Sequence, residues 1–381
     1  MGDIEQEREG WRKKAKEVAK SLVAPRAAEI DAKGEFPWDI VDAFAQNGFL
    51  SLVIPKEYGG MESDITSFCM VAEEMANYCA SSSLLVIVQA VGTMPIVFGG
   101  THELKERVLT RLAKERALVC FCLTEPEAGS DAASIRTKAV LDGDYYRING
   151  RKCFITNGGV SDFYTVFAVT HPEKKMEGIS GFVVEKGTPG LSIGRAEEKM
   201  GIRGSNTTEV VLDDVRVPLI QRIGAEGGGW WLMMRTLNRS RPAIGAQAVG
   251  LAQGALDYVI RFGQERGRVG RKNDPLGVQF MLADMAIEIE AARALVYKAA
   301  RMMDEKAKGT PVQMFSAMSK YFASDVAMKV TTEAVQIMQW HGLVRNHPVE
   351  RMMRDAKVIQ IFEGTNQIQR MVVAHTLLKG K

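Results

Sequence analysis

The stretch Ala117-Leu-Val-Cys-Phe-Cys-Leu123 is an unbroken apolar run of strand length, followed at once by the turn-rich string Thr124-Glu-Pro-Glu-Ala-Gly-Ser-Asp131. A short apolar run closed by turn residues predicts a buried strand. It also marks the place where the chain changes period. On its N-terminal side, Trp11, Ala15, Val18, Ala19 and Leu22 recur at helical spacing, and Pro37 opens a second helix carrying Val41, Phe44 and Leu50. Pro55-Lys-Glu-Tyr-Gly-Gly60 reads as a loop, and Asp64 or Ser67 as the cap of a helix through Met70, Glu73, Glu74 and Met75.

On the other side come further short β-rich segments: Tyr145 to Asn149 after Asp142-Gly-Asp144, Tyr164 to Thr170, Gly181 to Glu185, and a strand ending in Val217-Pro218. Helical periodicity returns from about Gly229. Met285, Ile289, Ala292, Val296, Ala299 and Met303 share one helix face; Met314, Met318, Phe322, Val326 and Val330 share another. The fold class is therefore α+β and multidomain. Residues 1–116 are expected to form an N-terminal helical domain, 117–225 a central antiparallel β-barrel or sandwich, and 226–381 a C-terminal four-helix bundle. No long helical patterns separate the strands, which argues against a doubly wound sheet.

Composition narrows the function classes. The chain has 381 residues, 46% of them hydrophobic and 25% charged, as expected of a globular protein with a real core. The 49 Lys plus Arg nearly balance the 46 Asp plus Glu, and the signs are interleaved, so no nucleic-acid partner is expected. Five Cys, an odd count, make no disulfide framework and suit a reducing compartment. The first residues lack the apolar core of a signal peptide, and Gln6 stands where a myristoylation signal needs Ser or Thr. The run Leu84 to Val91, interrupted by Gln89, is too short to insert in a membrane. A soluble, cytoplasmic protein is the expectation.

Several familiar chemistries are missing. There is no dinucleotide fingerprint after a strand, no P-loop, no His-Glu-x-x-His and no nucleophile elbow. Cys120-x-Cys122 has no second pair for zinc, and His341 and His347 are not at ligand spacing, so no metal is expected. The 20 Met fall at core spacings.

Five longer strings remain: Leu123 to Asp131; Gly150-Arg-Lys-Cys-Phe-Ile-Thr-Asn157; Lys199-Met-Gly-Ile-Arg-Gly-Ser205; Asn238-Arg-Ser-Arg-Pro242; and Arg354-Asp-Ala-Lys-Val-Ile-Gln-Ile-Phe-Glu-Gly-Thr-Asn-Gln-Ile-Gln-Arg370. Together and in this order they resemble the acyl-CoA dehydrogenase family, flavoproteins that oxidise acyl-CoA thioesters between Cα and Cβ. The resemblance spans essentially the whole chain and implies FAD as cofactor, an electron-transfer flavoprotein as electron acceptor, and a homotetramer.

Each string has its own physical content. Leu123 and Thr124 close a strand, and the resemblance places them at the polar edge of the flavin; by itself Thr124 reads as a strand-end residue in a turn. Ala128-Gly-Ser130 is a small-residue turn that permits close backbone approach, and the resemblance puts Ser130 on the CoA arm. Phe154 and Thr156 lie on one face by strand alternation. The resemblance sets the ring of Phe154 on the flavin and Thr156 near N5; alone, Phe154 reads as a core aromatic. Arg241 either orients carboxylates of the site or bridges helices. The resemblance sends Arg266 to a flavin pyrophosphate across a subunit interface, a role that suits the guanidinium fork. Gln336 precedes the family's flavin-binding loop.

Glu363 carries the reaction in this resemblance. It takes the α-proton while a hydride leaves Cβ for the flavin, and its own backbone N–H helps hold the thioester oxygen. Such a base belongs in an apolar setting that raises its pKa; the plain alternative is a solvated Glu at a helix start. Gly364 would adjoin the substrate, and Thr365 and Gln367 would meet the ADP part of FAD. Ser240 occupies the position where some relatives carry their base, and it cannot serve. Two departures touch the adenosine end of the flavin: Val269 replaces an aromatic, and Gln339-Trp340-His341 replaces a Gly-Gly pair.

The family's acyl-pocket floor corresponds to Ser82 to Ile96, which holds no charged residue. That favours a neutral aliphatic or alicyclic acyl group of short to medium size, since a distal carboxylate would need a partner. Arg239 is the one candidate partner. Two alternatives stay open: an oxygen-using flavin oxidase on the same scaffold, and a non-catalytic CoA-binding member of the family.

Overall fold

The structure, a computed structural model, describes residues 2–266, 276–305 and 310–378. The first layer is helical: α1 Gly2–Val18, α2 Ala24–Lys33, α3 Trp38–Gln46, α4 Ile65–Ala76, α5 Ala80–Gly99 and α6 His102–Lys114. The α4 cap is Asp64, which accepts from the Ser67 N–H at 2.7 Å. The expected first helix does not run straight through Leu22. A single π-turn, Ala19–Val23, joins α1 to α2 and leaves Leu22 exposed. Pro25 has no N–H for the carbonyl four residues back, so the ladder widens there.

Helix α5 is long and apolar enough to cross a membrane by length and composition, but 83% of it is buried inside the protein. A helix apolar on all sides is a core helix when other elements cover it. Gln89, its central polar residue, explains how the apolar run at 117–123 is held. Its amide donates to Ala117 O at 3.1 Å and accepts from the Val119 N–H at 3.1 Å. This satisfies the outer edge of the first strand.

Eight strands follow: β1 Val119–Cys122, β2 Lys138–Asp142, β3 Tyr145–Thr156, β4 Phe163–Val169, β5 Ile179–Glu185, β6 Leu191–Ala196, β7 Thr207–Pro218 and β8 Arg222–Ile223. They form one sheet in the order β6-β7-β3-β2-β4-β5-β8, with β1 added on β4. The expected central β domain is thus present as one sheet whose pairings are mostly antiparallel, with parallel contacts at β4. β1 runs parallel to β4, and β2 meets β4 in parallel through Lys138 and Val169. The β2–β3 hairpin intervenes between β1 and β4, and that crossover makes parallel pairing possible.

The last part contains α7 Gly229–Glu265, α8 Leu276–Asp304, α9 Thr310–Met338, α10 Val349–Ile359 and α11 Asn366–Leu378. The expected fourth long helix is broken in two, α10 and α11, both packed on α9. The α8 face is buried as its spacing predicts. On α9 the buried stripe is shifted: Ser316, Ala317, Ser319, Lys320, Ala323 and Ser324 are inside, while Met314, Met318 and Phe322 are half-buried. Small residues let neighbouring backbones come close. Likewise, a Cβ at Gly250 or Gly254 of α7 would collide with the Glu73 or Asn77 carbonyl of α4, at 2.1 and 2.0 Å. One continuous apolar core therefore joins α1–α5 to α7–α10.

Candidate active site

The break between α10 and α11 carries Glu363. Glu363 (φ 56°) and Gly364 (φ 88°) are both left-handed, a conformation that Gly adopts freely and Glu does not. The residue as a whole is half-buried, yet its carboxylate points inward, and Oε2 is buried without a hydrogen-bond partner. Burial pushes the Glu363 carboxyl above its ordinary range, against the opposing pull of Arg241, Ser240 and Lys320. Arg241 is 5% exposed; its Nη1 donates to Asn238 Oδ1 at 2.8 Å, and its Nε is buried with no partner. Around Glu363, then, stand a buried cation, a hydroxyl and a second cation, Lys320 of α9.

Lys320 is the residue here that sequence reasoning missed. It lies fully buried, and its Nζ donates to Gln360 O at 3.2 Å, Gly364 O at 2.9 Å and Asn366 Oδ1 at 3.0 Å. Gln369 grips the same turn from α11, its Nε2 donating to Glu363 O at 3.3 Å and Gly364 O at 3.0 Å. The available signal was a lone Lys among small residues at helical spacing. Thr365 caps α11, its hydroxyl accepting from the Ile368 N–H at 3.3 Å, and Gln367 is exposed beside it.

A second group gathers at the end of β1. Thr124 O accepts from the Cys153 N–H at 2.9 Å, which sets Leu123 and Thr124 beside the segment carrying Phe154 and Thr156. β3 bulges between Lys152 and Ile155, and there Phe154 takes φ 54° and stands 62% exposed. It is no core aromatic. Beneath this surface Lys152 and Glu125 form a buried ion pair at 2.7 Å, also missed in the sequence. Lys152 donates to Leu123 O at 3.0 Å, and Glu125 accepts from the Thr137 N–H at 3.0 Å and the Arg136 N–H. Burial alone would raise the Glu125 carboxyl, but Lys152 and those donors hold it below its usual range. Ser130 is exposed on the following turn.

A third group lies at the far end of the bundle. Arg266 stacks over Phe262 at 4.5 Å and meets His341 Nε2 at 2.8 Å; His341 stacks against Trp340 with ring centroids 3.5 Å apart. Gln336 is exposed one turn earlier on α9, and Trp340 is 63% exposed. Gln339 takes φ 55°, the backbone role that Gly fills without strain. Val269, the other departure, lies outside the described residues. Within one subunit Arg266 is thus brought to Trp340 and His341 and not to Glu363.

Among the described residues no cluster of His, Cys, Asp or Glu suits a metal ion. An exposed aromatic ring and a Thr hydroxyl on one face of β3, next to a strand end, fit the face and polar edge of a flavin ring. That fit rests on Phe154, which is 62% exposed.

The chain has an α-β-α layout in which the last helical layer is broken by a turn bearing a buried carboxylate and the central sheet carries an exposed aromatic ring, the layout of an enzyme with a reactive carboxylate. Comparison with known proteins gives the family. Residues 5–116, 120–215 and 227–378 match the acyl-CoA dehydrogenase N-terminal, middle and C-terminal domains. The chain belongs to the acyl-CoA dehydrogenase family and is an oxidoreductase. It is 48% identical over 99% of its length, and 96% of the relative's, to the probable acyl-CoA dehydrogenase FadE25 of Mycobacterium tuberculosis. It is 47% identical to the cyclohexane-1-carbonyl-CoA dehydrogenase of Geobacter metallireducens, covering 96% of this chain and 95% of that one. Among solved structures, butyryl-CoA dehydrogenase from Megasphaera elsdenii superposes with a TM-score of 0.93, at 39% identity and 99% coverage of both chains.

Proposed function

We propose that this protein dehydrogenates an acyl-CoA thioester to the 2-enoyl-CoA, with Glu363 as the base and FAD as cofactor. The observation that carries the reading is the Glu363 carboxylate, turned inward on a left-handed turn with Oε2 unpartnered. Burial raises its pKa, which suits a base that must accept a carbon-bound proton, and Arg241 and Ser240 pull against that rise. Once it holds the proton, the loss of its negative charge relieves the cost of burial. The Glu363 N–H and Gly364 present backbone to the thioester oxygen, where negative charge develops. Ser130 steadies the CoA arm, and Arg241 fixes the position of the carboxylate.

Leu123, Thr124, Phe154 and Thr156 would hold the flavin ring, and Thr365 and Gln367 its ADP portion. Arg266 and Gln336 would serve the flavin of a second subunit in a homotetramer. When bound, the flavin supplies the two-electron acceptor for the hydride lost from Cβ. Electrons then pass to an electron-transfer flavoprotein. The bare Trp340 and Leu343, 63% and 73% exposed, support burial of that region between subunits.

The substrate class is a neutral aliphatic or alicyclic acyl group. Ile87, Val88, Val91 and Met94 are buried along α5, and the polar side chains Ser83, Gln89 and Thr93 are bonded to neighbouring backbone. Arg239, the candidate partner for a distal carboxylate, stacks over Phe98 at 5.2 Å beside Arg235. Anaerobic titration of the yellow holoenzyme with butyryl-, cyclohexanecarbonyl- and glutaryl-CoA tests the reading. The neutral thioesters should bleach the flavin, and Glu363→Gln should bind them without bleaching, slowed on the order of 10²–10⁴-fold or more. Bleaching of the Gln variant at the wild-type rate would sink the assignment of the base, and preference for glutaryl-CoA would sink the substrate class.

A further inference from the structure

The Glu363 turn is unusual in how it is held. Two consecutive left-handed residues, one of them not Gly, cost of order 1–3 kcal/mol and persist only where surroundings fix them. The α9 face opposite supplies that support through Lys320, Ser324 and Asp325. All three ammonium donors of Lys320 have an acceptor on the turn or at the start of α11. Asn366 is held in turn by Ser324 Oγ at 2.9 Å and Asp325 Oδ1 at 2.7 Å, and Gln360 donates to the same Asp325 oxygen at 2.7 Å.

A pin could be built more cheaply. A fully buried ammonium carries a large desolvation cost, and here burial draws the Lys320 pKa down to about 7. The charges that face it are Glu363, which favours its proton, Arg241 of α7, which opposes it, and Asp325 of its own helix, which favours it. The effect is mutual, since Lys320 is among the groups that pull Glu363 down against burial. No direct ion pair joins the two, so the ammonium leaves the carboxylate free for substrate while its field still reaches it.

We propose that Lys320 is a positioning residue for the proton-abstraction step: it clamps the backbone on both sides of Glu363 and, while it is charged, favours the ionised form of the base. The proposal rests on Glu363 being the base. It requires two separable effects. Loss of the donors should slacken the turn and lower the rate of flavin reduction. Loss of the charge should raise the Glu363 pKa, so that the acid limb of the rate profile moves to higher pH.

The test is single-turnover flavin bleaching of the holoenzyme by butyryl-CoA, followed against pH, in wild type, Lys320→Gln and Lys320→Met. Gln keeps a donor without the charge, and Met keeps neither. Both variants should move the acid limb to higher pH, read as a rate below that of wild type throughout the range under the limb. The Met plateau should fall about 10- to 100-fold, and the Gln plateau less. A limb that stays in place in both variants would overturn the proposal, because a purely structural pin lowers flavin content or thermal stability without moving it. If Met prevents folding, the Gln variant carries the same comparison. Wild type itself separates the two readings: no acid limb there means that Glu363 is not the base, whatever Lys320 does.

Discussion

Removing Lys152 from its buried pair with Glu125 should strand a charge inside the protein and destabilise it. Lys152 is fully buried and Glu125 is 4% exposed, so water screens neither charge. The pair sits at 2.7 Å, and Lys152 also holds Leu123 O at 3.0 Å. In Lys152→Met the Glu125 carboxylate keeps only the Arg136 and Thr137 N–H groups. An ion left unpaired inside a protein typically costs about 3–5 kcal/mol, a large share of the ~5–15 kcal/mol that holds a native protein. Replacing both partners, as in Glu125→Gln with Lys152→Met, removes the stranded charge and should recover at least ~2 kcal/mol of that loss. The sign with pH follows. Without Lys152 the Glu125 pKa rises, so protonation relieves the variant in acid, and its deficit should be larger at pH 8 than at pH 5. Urea unfolding of wild type, both single variants and the double variant measures the coupling. Flavin absorbance in the same samples reports whether the Leu123–Thr124 edge has loosened. A Lys152→Met deficit below about 1 kcal/mol, or a double variant no more stable than the Met single, would mean that Glu125 is not stranded when Lys152 is lost.

Three further outcomes follow from the charges. Burial raises the Glu363 pKa in the folded protein, so its contribution to stability is full below the unfolded carboxylate pKa and is lost as pH rises through the folded value. Glu363→Gln should therefore melt higher than wild type at pH 7.5, with the gap closing in acid; a lower melting temperature at pH 7.5 contradicts this. Asp355, buried and accepting from the Ile202 N–H, is pushed up to about 6 from 3.8. That is a loss of about 2 kcal/mol as pH rises from 4 to 7, which Asp355→Asn should flatten in urea midpoints taken across that range. An unchanged slope would mean Asp355 is charged throughout. Arg266→Ala should release FAD on dilution in parallel with loss of the proposed tetramer, followed by flavin fluorescence and sedimentation, and tight FAD binding by a dispersed variant would rule out a role for Arg266 across subunits.

The legible parts of this molecule were those whose cause is local. The cap at Asp64, the apolar run at 117–123 and the α8 stripe each answer to residues within a few positions, and each appears as its spacing predicts. The mixed sheet was not legible, because the direction in which β1 meets β4 is decided by the hairpin that intervenes between them. The α9 stripe misled for a related reason: a close-packed helix buries small and polar residues that a hydrophobic pattern scores as surface. Strings recognised as separate turned out to be one contact. Ile202 of the 199–205 string donates to Asp355, and Arg354 donates to Met200 O at 2.9 Å while pairing with Asp31 at 2.6 Å. Lys320 and Glu125 belong to the same class. A buried charge is costly until its partner is in place, and both partners here come from another element: β3 for Glu125, the Glu363 turn for Lys320. From sequence alone either residue looks like surface. In the fold each sits directly behind a backbone segment that the proposed reaction uses, Leu123–Thr124 on the sheet and Glu363–Gly364 in the bundle. Each segment that the proposed reaction uses is thus backed by a buried lysine, and precision in such a segment comes from groups that never touch the substrate.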